Sequence, residues 1–293
     1  MLVLPLAAVA TLVLAAFPQP AQAQEPAGVS VAARQQLNAG VADFKQSHYD
    51  AAVVHFQQAI EMAPQHMLAH LYLGTTYAQL YIPGAETPDN VRNGEAAVRE
   101  FKLVAASDSA TREYKLQAIK SIASIDFDMK RLDDAAEWYQ RVIDTDPTDA
   151  EAYYSIAVIR WTEAYEPRMA LRARMGLKPM EPMPPGPECA QVRAKNETGV
   201  EDGMHMIQKA LELRPDYDDA MAYMNLLYRE RADYECDDPQ ARAADLKTAD
   251  EWVDRTMAVK KRKAEQGDLA VVPSTHTGGG HGEGGRDRPH RQP

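Results

Sequence analysis

A recurring set of small, bulky and proline residues constrains this 293-residue chain more than any other feature of its sequence. The first copy has small, aromatic, small and proline residues at spacings of four, three and five: Ala52, Phe56, Ala59 and Pro64. Because residues three and four apart share one face of a helix, this spacing predicts a helix with one apolar face, ended by the proline. The segment from Tyr49 to Tyr77 therefore predicts two amphipathic helices joined by a break at Pro64.

The same set recurs along the chain in one register. The further copies are Ala135, Tyr139, Val142, Pro147 and Gly203, Ile207, Ala210, Pro215, with a degraded copy at Ala97, Phe101, Val104, Ser109. One helix pair cannot bury both of its apolar faces, whereas stacked pairs bury them against each other. The sequence therefore predicts an all-α stack of helix pairs, each with a leading helix and a second helix.

This pattern resembles that of the tetratricopeptide-repeat family, and the resemblance covers about residues 30–265. It implies an α-solenoid, a right-handed superhelix of helix-turn-helix repeats, and a role in protein–protein interaction without enzymatic activity. We expect about five repeats over residues 24–266, closed by a C-terminal capping helix from about Ala241 to Lys263.

The two ends of the chain differ from this repeat pattern. Residues 1–23 form an apolar run closed by Ala21-Gln22-Ala23, which predicts a signal peptide cleaved before Gln24. A retained membrane anchor would need about 20 apolar residues, more than this run supplies. We therefore expect a periplasmic or secreted bacterial-type protein with no stable membrane span after cleavage. Beyond Gly267, the Gly, His, Pro and Arg content predicts a disordered tail over residues 267–293.

Composition and motifs argue against several classes of function. A net charge of -11 is unfavourable for gripping the phosphates of nucleic acid. The sequence contains no G-x-S-x-G, no H-E-x-x-H and no phosphate-binding loop. We expect no catalytic residue, no resident metal and no cofactor, and a protein or peptide as the partner.

Turn lengths divide the predicted solenoid into a uniform edge and a variable edge. The turn from a second helix to the next leading helix keeps a separation of nine residues, from Pro64 to Leu73, Pro147 to Ile156 and Pro215 to Met224. The turn inside a repeat varies, with insertions at residues 82–91 and 164–190. We expect both insertions to project from one edge, with an ordered loop from Lys178 to Pro187 and a helix resuming near Val192.

Both cysteines of the chain lie in turns on that variable edge. Cys189 belongs to the fourth repeat and Cys236 to the fifth. Because an exported chain meets an oxidising compartment, we predict a disulfide between Cys189 and Cys236. Two free buried thiols are the alternative.

The family resemblance also implies that the leading helices line a concave groove for a partner. Its groove positions, carried over to this chain, are Leu37, Val41, Phe44, Leu71, Lys120, Phe127, Tyr154, Val158, Trp161, Leu226 and Arg229. Some relatives clamp a peptide carboxylate with Lys and Asn, and only Lys120 stands at a fitting place here. The apolar groove would suit an extended segment or a helix of a partner, or be covered by the insertion after Trp161.

A second hypothesis assigns the function to residues outside the groove. His276, His281 and His290 of the tail, or the Met- and Pro-rich insertion, would make the chain an envelope protein that binds metal or another ligand.

Overall fold

The computed structural model describes residues 29–178 and 181–270, which contain ten helices and no strand. Consecutive helices pack against each other, and the leading helices α7 and α9 are also in contact. The predicted all-α solenoid is therefore confirmed. The leading helices are α1 (Val31–Lys45), α3 (Met67–Leu80), α5 (Arg112–Asp128), α7 (Ala150–Arg174) and α9 (Asp218–Tyr234). The second helices are α2 (Tyr49–Met62), α4 (Pro88–Ala106), α6 (Leu132–Thr145), α8 (Pro187–Leu213) and α10 (Pro239–Ala270).

Close contact between a glycine and an aromatic ring explains the residue types of the repeat. Phe56 and Phe101 are fully buried. A Cβ atom on Gly40 would lie 2.6 Å from Phe56 Cε1, and one on Gly74 would lie 3.0 Å from Phe101 Cδ1. A larger residue at either glycine would push the two helices of its repeat apart, since protein interiors leave few voids to absorb it.

The apolar interior consists of two clusters of buried residues that meet at α5. Ile122 belongs to the cluster formed by α1 to α5, whereas Ile119 and Phe127 belong to the cluster that continues from α5 into α9. Trp138 and Ala105 pack against both clusters. The described repeats therefore share a continuous apolar interior.

The fourth repeat contains more helix than the sequence predicts. The sequence loses its helical period after Trp161, and Pro167 lacks the N–H that a helix interior uses. The helix α7 nevertheless continues through Pro167 to Arg174. The second helix begins at Pro187 and not near Val192. The described residues of the insertion that are not helical are 175–178 and 181–186.

The other boundaries differ less from prediction. The first insertion is a short loop of residues 81–87, after which Thr87 caps α4 and Pro88 opens it. Asn90 holds this loop, since its side chain accepts from the N–H of Ile82 at 2.6 Å and donates to the carbonyl of Ala85 at 2.7 Å. The last helix continues to Ala270, past the predicted tail boundary at Gly267.

Two predicted segments lie outside the described residues, namely the signal peptide and the tail from residue 271 onward. Among the described helices, none combines the length and the apolar character that a membrane crossing requires.

Candidate partner-binding site

The structure buries most of the apolar groove residues that the sequence predicts. Their side chains lie in the two apolar clusters and are almost closed to solvent: Leu37, Val41, Leu71, Phe127, Tyr154 and Val158. Phe44, Trp161, Leu226 and Arg229 are half-buried, and Lys120 is exposed. The surface that a partner can reach on the leading helices is therefore narrower than the predicted groove.

Packing between neighbouring leading helices causes this burial. In the second half of the solenoid, the ring of Tyr154 lies 5.0 Å from that of Tyr217 and 5.5 Å from that of Tyr223. In the first half, the ring of Phe44 meets that of Tyr72 edge-on at 6.4 Å. Aromatic side chains of one repeat thus cover the groove positions of the previous one.

The two charged residues of the predicted groove are paired within the chain. Lys120 forms an ion pair with Asp149, which also caps α7. Arg229 donates to Asn225 Oδ1 at 2.8 Å and to Asp250 Oδ1 at 2.6 Å. Both cations contact neighbouring helices, and a partner carboxylate would share them with these acids.

What remains accessible on the leading helices of repeats four and five is a row of aromatic rings. Trp161 and Tyr165 stack with their ring centroids 4.7 Å apart, and Tyr223 meets Trp161 edge-on at 5.5 Å. Tyr154 forms the buried end of this series through its contact with Tyr223. We call Tyr154, Trp161, Tyr165 and Tyr223 the aromatic row.

The exposure and the ionisation of the aromatic row fit a contact surface. Trp161, Tyr165 and Tyr223 are half-buried, so each presents part of its ring to solvent. Desolvation by burial raises the pKa of Tyr154 and of Tyr223 above the ordinary value for tyrosine. Both hydroxyls are protonated at neutral pH, as that of an ordinary tyrosine is.

Two members of the row were not among the sequence-derived groove residues. Tyr165 stands one helical turn after Trp161, in the part of α7 where the sequence loses its period. Tyr223 immediately precedes Met224, which lies nine residues after Pro215 in the fifth leading helix. A helix drawn through Pro167 would have placed Tyr165 beside Trp161.

A buried ionic cluster lies beside the aromatic row and joins α7 to α9. Arg168 donates to both carboxylate oxygens of Glu230, at 2.6 and 2.7 Å, and also pairs with Asp233. Arg172 donates to Asp233 at 3.0 Å. The guanidinium of Arg168 also lies 5.4 Å from the ring centroid of Tyr165. These contacts fix the second half of α7 against α9.

The same cluster holds the insertion loop. Arg172 donates to the carbonyl of Lys178 at 2.6 Å and to that of Glu181 at 2.7 Å, and the side chain of Met183 is buried. The described part of the loop is therefore ordered against the solenoid, as predicted.

The predicted disulfide is present on this edge. Cys189, near the start of α8, is bonded to Cys236, between α9 and α10, with their Cα atoms 6.4 Å apart. Beside it, Arg193 donates to the carbonyl of Tyr234 at 2.8 Å and pairs with Asp237. The turns of repeats four and five are thus joined by one covalent bond and by polar contacts.

A cleft of about 480 Å³ opens between the turn before α6 and the helices α7 and α8. Its lining mixes both signs of charge and includes Lys130, Asp133, Arg160, Glu163 and Lys195. Arg160 is already paired with Glu163 and Asp202.

The metal-binding hypothesis finds no donor set in the described residues. No group of three or more His, Cys, Asp or Glu side chains there could hold a metal ion. The tail histidines, which are one of the two sites of that hypothesis, lie outside the described residues.

Comparison with known proteins agrees with the fold. Residues 123–162 match a sequence model of the tetratricopeptide repeat, and this range spans the junction from α5 through α6 into α7. The described residues have the fold of a tetratricopeptide-repeat solenoid. No curated protein matches the sequence of this solenoid.

Solved structures of MamA resemble this tetratricopeptide-repeat solenoid. One is 16% identical with a TM-score of 0.54, and the alignment covers 83% of this chain and 98% of MamA. Another, from Desulfovibrio magneticus RS-1, is 15% identical with a TM-score of 0.51 and covers 80% and 98%. At these identities the likeness concerns the fold alone.

Proposed function

We propose that the protein is an exported, non-enzymatic scaffold of the cell envelope that binds a segment of a partner protein at the aromatic row. The observation that carries this proposal is the position of Trp161, Tyr165 and Tyr223, which are half-buried side by side on the leading helices of repeats four and five. Tetratricopeptide-repeat solenoids use extended surfaces of this kind to hold other proteins.

The row has the chemistry of a protein-binding hot spot. Large aromatic side chains are enriched at such sites because they bury much area while fixing few torsion angles. The hydroxyl of Tyr223 adds a hydrogen-bond donor. Leu226 and Arg229 of α9 extend this surface. The partner that fits is an extended segment or a helix with apolar side chains and exposed carbonyl groups.

Export is supported by two features. The N-terminal segment has the pattern of a signal peptide. The Cys189–Cys236 disulfide suits an oxidising compartment, because cytosolic thiols are kept reduced. We therefore assign the scaffold to the periplasm or to the outside of the cell.

The test uses a matched pair of tryptophan variants. Trp138, in the second helix α6, is also half-buried, with Arg141 4.2 Å from its ring centroid. Affinity capture from the native envelope, quantified by mass spectrometry, should recover a partner with wild type and with Trp138→Ala. Recovery should fall by about tenfold or more with Trp161→Ala and with Tyr165→Ala, because hot-spot truncations lose at least that much.

Circular dichroism and melting curves must first show that each variant is folded. Equal recovery with Trp161→Ala, Tyr165→Ala and Trp138→Ala would show that the aromatic row is not the binding surface.

A further inference from the structure

The last helix leaves apolar side chains exposed on its outer side. Val253 is 39% exposed and Met257 is 62% exposed, although both lie in the middle of α10. On the inner side, Ala249, Thr256 and Val259 are buried against the solenoid. The outer side therefore differs from an ordinary solvated helix face, where residues of this size are usually polar.

The repeat register explains why these residues are exposed. Ala249, Val253 and Thr256 keep the spacing of four and three that Ala52, Phe56 and Ala59 set in the first repeat. The bulky position of that triplet is buried in every earlier second helix: Phe56, Phe101, Tyr139 and Ile207. Each of those helices packs between the leading helix of its own repeat and the following leading helix. Val253 holds the same position, but no leading helix follows α10 among the described residues. The outer side of α10 is therefore an unfinished repeat interface.

The outer side chains of α10 form one stripe along the helix, in which Leu246 is half-buried and the others are exposed. At 3.6 residues per turn, the residues that share this side with Met257 recur every three or four positions. From one end to the other they are Leu246, Asp250, Val253, Met257, Lys260 and Ala264. We call these residues the α10 stripe. It spans about 27 Å at 1.5 Å per residue.

The order of residues in the α10 stripe is complementary to itself when it is reversed. If two copies of α10 run antiparallel about a two-fold axis near residue 255, Val253 of each copy faces Met257 of the other. Asp250 of each copy then faces Lys260 of the other, and Leu246 faces Ala264. Apolar residues thus meet apolar residues, and each acid meets a base, as an isologous interface requires.

Existing contacts leave these charges available. Asp250 is 73% exposed in its pair with Arg229, and Lys260 lies 3.7 Å from Asp218 and 3.9 Å from Asp219. Such exposed pairs are weak, so a second acid or base can share them.

We propose that the α10 stripe is a dimerisation surface whose occupant is the α10 stripe of a second copy of this chain. Residues 273–293 contain no Ala, Val, Leu, Ile, Met, Phe, Tyr or Trp with which to cover the stripe. A helix of an unrelated partner would not explain why the charges and the apolar residues of the stripe match their own reverse. Dimerisation would place two aromatic rows in one assembly, which deepens the proposed scaffold role but does not depend on it.

The test is a charge exchange read by sedimentation velocity of the exported protein, over concentrations up to about 100 μM. Wild type should dimerise. Asp250→Lys places two lysines opposite each other, and Lys260→Asp places two acids opposite each other. Each change alone should weaken association by about tenfold or more.

A mixture of the two single variants distinguishes a contact between chains from a contact within one chain. In the mixed pair a lysine of the first variant would face an aspartate of the second at both ends of the stripe. An equimolar mixture should therefore recover the dimer, as should the double variant D250K/K260D. The contacts within one chain, to Arg229 and to Asp218, would not be repaired by either arm. Recovery therefore reports the contact between chains.

A variant of an apolar residue in the α10 stripe provides a test that does not depend on the folding of the charge variants. Met257→Glu alters a side chain that is mostly exposed, so the monomer should melt as wild type does while association is lost. A wild-type protein that stays monomeric over the whole concentration range would overturn the proposal. So would single variants that dimerise as tightly as wild type, or a dimer that is lost when residues 271–293 are removed.

Discussion

The first two repeats and the last two repeats of this solenoid are held together in different ways. In α1 to α4, glycines lie directly against aromatic rings, as Gly40 does against Phe56 and Gly74 against Phe101. In the last two repeats, α7, α8 and α10 are longer than any helix of the first two, and the Arg168–Glu230 ion pair and the Cys189–Cys236 disulfide join the helices. A repeat of this solenoid can therefore contain a long insertion when ion pairs and a disulfide join its helices to the next repeat.

The two halves also differ in what they leave on their surfaces. Leu71 and its neighbours in α3 are buried for most of that helix, whereas α7 and α9 keep Trp161, Tyr165 and Tyr223 half-exposed. We therefore expect the first half to serve as scaffold and the second half to carry the contacts with partners.

The largest effect should come from the apolar packing of the first half. Phe56→Ala removes a fully buried ring and should lower the free energy of unfolding by about 3–5 kcal/mol in chemical denaturation. The neighbouring change Val54→Ala should cost less than about 0.5 kcal/mol, since Val54 is 50% exposed. Similar losses for both variants would contradict the packing account.

Removal of the disulfide should destabilise the second half. The bond joins residues 47 positions apart, and a loop of that size corresponds to about 4 kcal/mol or less in the entropic model. The double variant Cys189→Ser, Cys236→Ser should therefore lose up to about that much stability. Reduced wild type should match this variant in the same denaturation experiment. If two thiols of the exported protein react with an alkylating agent before reduction, the bond does not form.

Breaking the buried ion pair should have a somewhat smaller effect. Glu230→Leu leaves Arg168 buried beside Asp233 alone and should lower stability by about 3 kcal/mol. The double variant R168M/E230L removes both charges and should recover most of the loss, because matched apolar residues can replace a buried pair. A double variant as unstable as Glu230→Leu would show that the guanidinium acts through its other contacts.

The smallest effect should be a pH dependence that separates the two halves. In the second half, burial and the nearby Asp245 carboxylate raise the pKa of Glu235 from 4.5 to about 7. In the first half, the pKa of His70 is raised above 6.5, because its hydrogen bond to Glu100 and related contacts outweigh desolvation. Both groups hold their protons more tightly when folded, so stability should fall as pH rises through these ranges.

Glu235 and His70 affect the stability of the fold over different pH ranges. Glu235 should lower the free energy of unfolding as pH rises from 4.5 to about 7. Asp128 should contribute to the same decrease, because burial raises its pKa from 3.8 to about 6. His70 acts above pH 6.5. In melting curves from pH 5 to 8, Glu235→Gln should flatten the lower part of the decrease and His70→Asn the upper part. Curves of unchanged slope would show that neither group is perturbed as described.

The sequence predicts the fold well because the repeat is a local pattern. Ala52, Phe56, Ala59 and Pro64 report helix faces and helix ends directly, and the position of both cysteines on the variable edge predicts their bond. Contacts between distant residues leave no such pattern. The pairing of Arg168 with Glu230 across 62 positions, which holds α7 together beyond Pro167, has no local signal.

The burial of most predicted groove residues could not be inferred from the sequence for a related reason. Family positions identify which residues of a leading helix face inward, but not whether the next repeat covers them. Val158 lies deep in the apolar interior because α7 and α9 pack together, and no single repeat contains that information.

The central claim, that partners bind the second half of the leading-helix face, is tested most directly by photocrosslinking in the living envelope. Phe44 and Trp161 hold equivalent positions in the first and fourth repeats, and both are half-buried. A photoreactive phenylalanine analogue placed at position 161 should crosslink to a partner protein, whereas the same analogue at position 44 should not. Crosslinks that form equally at both positions, or only at position 44, would contradict the account.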